Sequence, residues 1–222
     1  MPPIPHRAIT LVGFFGLAAG AGAWMVVAAL QARSPRAPFG RTSPLGGAPK
    51  PAASSPLLFL GDSITAAGPW AEAFPGRAVV NAGIPGNTTR DLLERLDALP
   101  IRRHQSTVVL MAGINDILRG EEPAPVAARL LQVRRALLER GAARVVVVAT
   151  LPCGSVRWGP RCLAPVQELN RRIRLGVPLA DWLDLTPAVR DSAGLRPALT
   201  VDGLHLSPAG YRLWLKQLRP ML

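Results

Sequence analysis

Residues 57–65 read Leu-Leu-Phe-Leu-Gly-Asp-Ser-Ile-Thr: four large apolar side chains in a row, then a glycine, then a polar turn. An apolar run this short, closed by Gly61-Asp62, suits a strand buried on both faces better than a half-exposed one, which would alternate. Ser63-Ile64-Thr65 then opens a helix, so the segment reads as the first half of a strand–helix unit. The pattern repeats along the chain. Ala78–Asn81, Thr107–Met111, Val145–Ala149 and the less regular Leu179–Leu185 are further strand candidates. Between them, TTRDLLERLDAL (88–99) sets Leu92, Leu93, Leu96 and Leu99 on one helical face. PVAARLLQVRRALLER (125–140) does the same with Val126, Leu130, Leu137 and Leu138 and stops at Gly141. Near the end, Ser207 is an N-cap and Pro208 a first helical residue for a helix carrying Tyr211, Trp214, Leu215 and Leu218. Strands alternating with helices predict an α/β fold, a five-stranded, mainly parallel sheet between two helix layers. No internal repeat is present.

The chain has 222 residues and is 49% hydrophobic, enough for one domain with an appendage and too apolar for a disordered protein. Its formal net charge is +12. All 14 acidic residues lie after residue 57, interspersed with 21 of the 26 basic ones, and only Lys50 and Lys216 are lysines. Arg102-Arg103 and Arg171-Arg172 are pairs, not tracts, and no basic run is interleaved with aromatic residues, so a nucleic-acid partner is not expected.

Ahead of the first strand, Ala8 to Leu30 form an uncharged run of 23 residues, long enough to cross a bilayer as a helix. Because the run continues through Trp24 to Leu30, an uncleaved transmembrane anchor is expected; removal as a signal peptide after about residue 23, where Ala21-Gly22-Ala23 resembles a processing site, is the alternative. Gly16 and Gly20 form one GxxxG in a segment rich in glycine and alanine. Arg33, Arg36 and Arg41 follow the run while Arg7 precedes it, which disfavours an outward-facing domain by charge alone. Large domains nevertheless translocate against such a bias. The division expected is 1–32, membrane anchor or signal peptide; 33–56, a spacer with six prolines, three glycines and four serines; and 57–222, the folded domain, on the periplasmic side or secreted.

Four short segments carry chemistry: Gly61-Asp62-Ser63-Ile64-Thr65, Asn81–Thr88, Gly113-Ile114-Asn115-Asp116 and Asp202-Gly203-Leu204-His205. The first three follow directly on the first three strands, and loops at the carboxyl ends of parallel strands converge on one crevice. A serine hydroxyl becomes a nucleophile when a base takes its proton. His205 is that base, since His6 belongs to the anchor region and His104 to a polar connection beside Arg102 and Arg103. Asp202, three residues before it, orients the ring if the backbone turns back at Gly203. Asn115, through its side chain, and Gly86 and Ser63, through backbone N–H groups, are donors for the oxyanion of a tetrahedral intermediate. Taken singly, each segment could be an ordinary turn; their order and their places at strand ends argue for one site. Asp62 and Asp116 are better suited to capping or fixing loops than to the chemistry.

Together the four segments resemble the diagnostic blocks of the SGNH or GDSL-type hydrolases over about residues 57–222, with Ile64 where the family name has leucine. The resemblance implies a flavodoxin-like three-layer α/β/α sandwich, no cofactor and a shallow, exposed site. It matches Ser63 to the nucleophile, Gly86 in preference to Gly83 to the oxyanion glycine, Asn115 to the oxyanion asparagine, and Asp202 and His205 to the acid and base. The expected activity is cleavage of a carboxylic ester or thioester through an acyl-enzyme, on a small-molecule, glycan or lipid ester. Acyl transfer to a sugar hydroxyl, or deacetylation of an envelope polysaccharide, would use the same residues. A surface binding module that had lost the chemistry would have no reason to keep all five.

Cys153 and Cys162 lie in one stretch, and three scattered histidines add no ligand set, so a metal site is not expected. A disulfide closing a small loop, which implies an oxidising compartment, and two buried thiols are the readings open. The loop follows the fourth strand and could overhang the site, so its reduction is expected to alter KM or substrate preference more than Ser63 reactivity. Trp158 within it is either a wall of the cleft or a packing residue.

Overall fold

Leu57, Leu58, Phe59 and Leu60 are each at most 2% exposed, as a strand covered on both faces requires. In the computed structural model, which describes residues 55–154, 158 and 160–222, they form β1 (Leu57–Gly61). β2 (Val79–Gly83) and β3 (Thr107–Met111) flank it, followed outward by β4 (Arg144–Val148) and β5 (Trp182–Leu183), in the order β2-β1-β3-β4-β5. Every pairing in this sheet is parallel. Gly61 stands level with both Gly83 and Met111. Three neighbouring strands therefore stop at one height, and the three loops that follow them open on the same edge.

Eight helices accompany the sheet among the described residues: α1 (Ser63–Ala66), α2 (Trp70–Ala73), α3 (Thr89–Glu94), α4 (Ile114–Leu118), α5 (Pro123–Glu139), α6 (Pro160–Leu175), α7 (Thr186–Val189) and α8 (Pro208–Leu218). α3, α5 and α6 pack side by side. With right-handed crossovers this puts them on one face, and α1, α2 and α8 on the other. Burying each Leu, Val or Phe of the core contributes about 1.5–3 kcal/mol. On the second face an aromatic cluster joins chain ends: Phe59 stacks on Trp70 at 4.2 Å, and Trp70 meets Trp214 edge-on at 4.9 Å. Trp70 Nε1 donates to the Thr65 carbonyl at 2.7 Å and the Tyr211 hydroxyl to the Ile64 carbonyl at 2.6 Å. α1 is only one turn long, and its carbonyls are thus held by residues of α2 and α8.

The predicted elements are present, with local differences. The helix expected over 88–99 stops at Glu94 and continues as a 3-10 turn, Leu96–Ala98; its start is fixed by a capping box between Thr88 and Asp91. Leu138, expected on the apolar face of α5, is 36% exposed, while Val133 takes the buried place. Leu138 lies about 100° around the helix from Leu137, off the stripe. The fifth strand is two residues long, because it forms the edge and pairs only where Trp182 and Leu183 meet Val147 and Val148. Ser207 caps α8 through Gly210 N–H, with Pro208 first in the helix. Ser55 and Pro56 pack with the domain: Ser55 is buried, and its carbonyl accepts two bonds from Arg77. The apolar run at 8–30 lies outside the described residues; among those described, no helix is long and apolar enough to cross a membrane.

Candidate active site

Asp62 caps α1, its Oδ1 accepting from the Ile64 N–H at 3.0 Å, and this turn presents Ser63 at the carboxyl edge of β1. Asp62 is fully buried, and burial pushes its carboxyl up to about 6, although the Ile64 N–H and the nearby charge of His205 pull it down. Its other oxygen, Oδ2, has no hydrogen-bond partner among the described residues.

Ser63 Oγ lies 2.9 Å from His205 Nε2 across 142 residues of sequence. His205 Nδ1 lies 2.7 Å from Asp202 Oδ2. Asp202 serves its own turn as well, since Oδ1 accepts from the N–H groups of Leu204 at 2.9 Å and His205 at 2.8 Å. The turn reverses at Gly203, where φ is +86°, a left-handed conformation that glycine adopts without steric cost. Burial works to raise Asp202, but the His205 ring, the two N–H groups and the His205 charge outweigh it and hold the carboxyl at about 2. An ionised carboxylate only accepts, so Nδ1 carries its hydrogen toward Asp202 and Nε2 turns a lone pair toward Ser63. The ring and its carboxylate are about one-third exposed, at 34% and 31%. Such a relay can take a proton from the serine hydroxyl and later return it to a leaving group.

Three donors stand just past the carboxyl ends of β1, β2 and β3. The N–H groups of Ser63 and Gly86 have no acceptor among the described residues. Asn115 Nδ2 gives one hydrogen to the Asn87 carbonyl at 2.9 Å and keeps the other. Gly83 and Gly86 differ in a telling way. A methyl group on Gly83 would stand 2.2 Å from the Ala66 nitrogen, so that glycine permits β2 and α1 to touch; one on Gly86 would meet nothing within 4 Å. Gly86 faces open space, and Gly83 belongs to packing.

The surrounding loops are pinned by residues that sequence reading did not single out. Arg119 Nη2 donates to the Gly86 carbonyl at 3.0 Å, and Arg95 binds the Asn87 side chain. Both stand at helix C-caps, where arginine reads as ordinary surface charge. Asp116 is fully buried and accepts from the Thr89 N–H and, at 2.6 Å, from its hydroxyl, while Arg129 pairs with it at 3.1 Å. Asp62 and Asp116 thus cap and fix loops. Cys153 and Cys162 are joined as a disulfide, with Cα atoms 6.0 Å apart. Next to it the Gly154 N–H donates to the Gly203 carbonyl at 2.6 Å, so the cysteine loop touches the Asp202–His205 turn. Trp158 is partly exposed, and a methyl group on Gly203 would come within 3.6 Å of its Cδ1. His104 is exposed just ahead of β3, at the opposite edge of the sheet. Among the described residues no group of three His, Cys, Asp or Glu side chains could hold a metal ion.

The model of the GDSL-like lipase/acylhydrolase family matches residues 59–213. Esterase TesA of Pseudomonas aeruginosa is 30% identical over 186 residues, covering 77% of this chain and 89% of its own. Thioesterase 1/protease 1/lysophospholipase L1 of Escherichia coli K12 is 33% identical over 189 residues, covering 77% and 86%. Among solved structures, one described as a platelet activating factor from Streptococcus pneumonia superposes with a TM-score of 0.67 at 26% identity, over 74% of this chain and 82% of that one. With 59–213 accounted for by one family model and relatives of this identity matched over most of their length, the chain belongs to the GDSL-like lipase/acylhydrolase family and is an ester-hydrolysing enzyme.

Proposed function

We propose that the chain is a serine hydrolase that cleaves a carboxylic ester or thioester through an acyl-enzyme, with Ser63 as nucleophile, His205 as base and Asp202 as its orienting carboxylate. The relay Ser63 Oγ–His205 Nε2 at 2.9 Å and His205 Nδ1–Asp202 Oδ2 at 2.7 Å carries the reading. As Ser63 Oγ attacks the acyl carbon, Nε2 takes its proton and Asp202 stabilises the imidazolium that forms. The carbonyl oxygen becomes an oxyanion, received by the N–H groups of Ser63 and Gly86 and the free Nδ2–H of Asn115. Collapse returns the proton from Nε2 to the departing alcohol or thiol; water, deprotonated by the same nitrogen, then releases the acid and frees Ser63. No step draws on a metal or cofactor.

The names of the relatives, an esterase and a thioesterase with lysophospholipase activity, favour acyl esters and thioesters as substrates. The uncharged run of 23 residues and the paired cysteines support a domain held outside the cytoplasm, with the run in the membrane and residues 33–56 as spacer. Protease treatment of intact spheroplasts tests that placement; a domain that stays protected until lysis refutes it.

Ser63→Ala and His205→Ala should each abolish turnover of p-nitrophenyl acetate, a loss on the order of 10⁶ in kcat, and Asp202→Asn should cost at most about 10⁴. A fluorophosphonate should label the wild-type protein at Ser63. Turnover by Ser63→Ala at the wild-type rate would sink the assignment.

A further inference from the structure

Arg95, at the C-cap of α3, is partly buried, and its guanidinium touches both loops that supply backbone N–H groups to the site. Nε donates to Asn87 Oδ1 at 2.8 Å; Nη2 donates to the Ala82 carbonyl at 2.7 Å and the Gly61 carbonyl at 3.2 Å. Gly61 lies two residues before Ser63, and Ala82 and Asn87 bracket Gly86. All three acceptors are neutral, and the carboxylate that acts on this partly buried guanidinium is Asp91.

One backbone bond, from the Ile84 N–H to the Gly61 carbonyl at 3.1 Å, also ties the Gly86 loop to β1; the other ties on that loop do not reach it. Asn87 N–H bonds to the Ile84 carbonyl inside the loop, and Arg119 and Asn115 hold the Gly86 and Asn87 carbonyls from the α4 side. Arg95 alone among these side chains grips the first and second loops at once. We infer that Arg95 is a positioning residue of the oxyanion hole: its planar fork, bonded to the carboxyl ends of β1 and β2 and to Asn87, sets the spacing between the Ser63 and Gly86 N–H groups. The inference rests on the serine-hydrolase reading above. A lysine ammonium keeps the charge but is a single point without the fork, and it cannot span acceptors on two strands and a side chain together.

Displacement of a positioned group by about 1 Å can cost on the order of 10² in rate. Arg95→Met should therefore lose about that factor in kcat toward p-nitrophenyl acetate, with KM within about twofold. Arg95→Lys should fall between it and wild type. The rate is taken per site titrated with fluorophosphonate, so protein lost to misfolding does not count. Affinity for an alkyl trifluoromethyl ketone, which forms a tetrahedral oxyanion on the serine, should weaken by the same factor as kcat/KM; a merely structural role would leave both ratios unmoved. Should Arg95→Met fail to fold, Arg95→Lys and Asn87→Ala decide. Each should reduce kcat per site, and together they should cost no more than the larger single loss. Wild-type rates per titrated site in Arg95→Lys and Asn87→Ala overturn the inference alone, whereas a wild-type protein that neither labels nor turns over overturns the hydrolase reading and the inference with it.

Discussion

Replacing Asp62 by Asn tests whether a charge is held at a cost beside Ser63. The carboxyl is fully buried, and its pKa is pushed from 3.8 to about 6 by loss of solvation. A shift of about two units corresponds to about 3 kcal/mol. The sign follows from linkage: a carboxyl with a raised pKa binds its proton more tightly in the folded protein. Stability is therefore lost as pH rises from the unfolded value near 4 through 6, and the cost is complete above that. Asparagine keeps an oxygen for the Ile64 N–H and does not titrate. Any packing cost of the substitution, including an amide group in place of the unpartnered Oδ2, is the same at every pH and cancels. Urea unfolding at pH 4 and pH 8 should then show Asp62→Asn gaining about 2 kcal/mol on the wild type between the two, because the unfolded carboxyl is already half ionised at pH 4. A stability difference that stays constant across that range would refute a buried carboxylate of raised pKa.

Asn115→Ala should lower kcat by about 10² to 10³ through the missing oxyanion donor. Because Nδ2 also holds the Asn87 carbonyl, trifluoromethyl ketone affinity should fall at least as far; an unchanged affinity would remove Asn115 from the oxyanion hole. The disulfide closes a loop of sequence separation 9, for which the chain-entropy model gives roughly 2 to 3 kcal/mol of stability. With Gly154 bonded to Gly203 in the Asp202–His205 turn, reduction should slow fluorophosphonate labelling of Ser63, not merely shift KM as sequence alone suggests. Labelling at an equal rate before and after reduction by a phosphine, with thiol alkylation confirming the reduction, would separate the loop from the base.

Elements whose signal is local were legible in the sequence. Four apolar residues before Gly61 define β1 because burial on both faces leaves no room for a polar side chain, and Ser207-Pro208 defines the start of α8 because capping is a matter of adjacent residues. The five residues proposed for the chemistry stood out through their order, and three of them, Ser63, His205 and Asp202, are hydrogen-bonded in one relay. Less was visible where three-dimensional neighbours decide. β5 shrinks to two residues because pairing on one side alone sets its length, and α3 ends early although its leucine spacing continues. Arg95 and Arg119 were not visible at all. Apart from the Asn87 side chain, their acceptors are backbone carbonyls, which every residue carries, so no sequence pattern marks them.

The bond from Tyr211 to the Ile64 carbonyl and the pairing of Ser63 with His205 span 147 and 142 residues. A ribosome delivers Ser63 well before His205. Until the segment that carries His205 has emerged, Ser63 Oγ lacks its hydrogen-bond partner. Closing so long a span is the slow, entropically costly part of assembling such a topology. If Ser63 and His205 act as proposed, a chain cut between them would hold the serine without its base and leave an ester uncleaved.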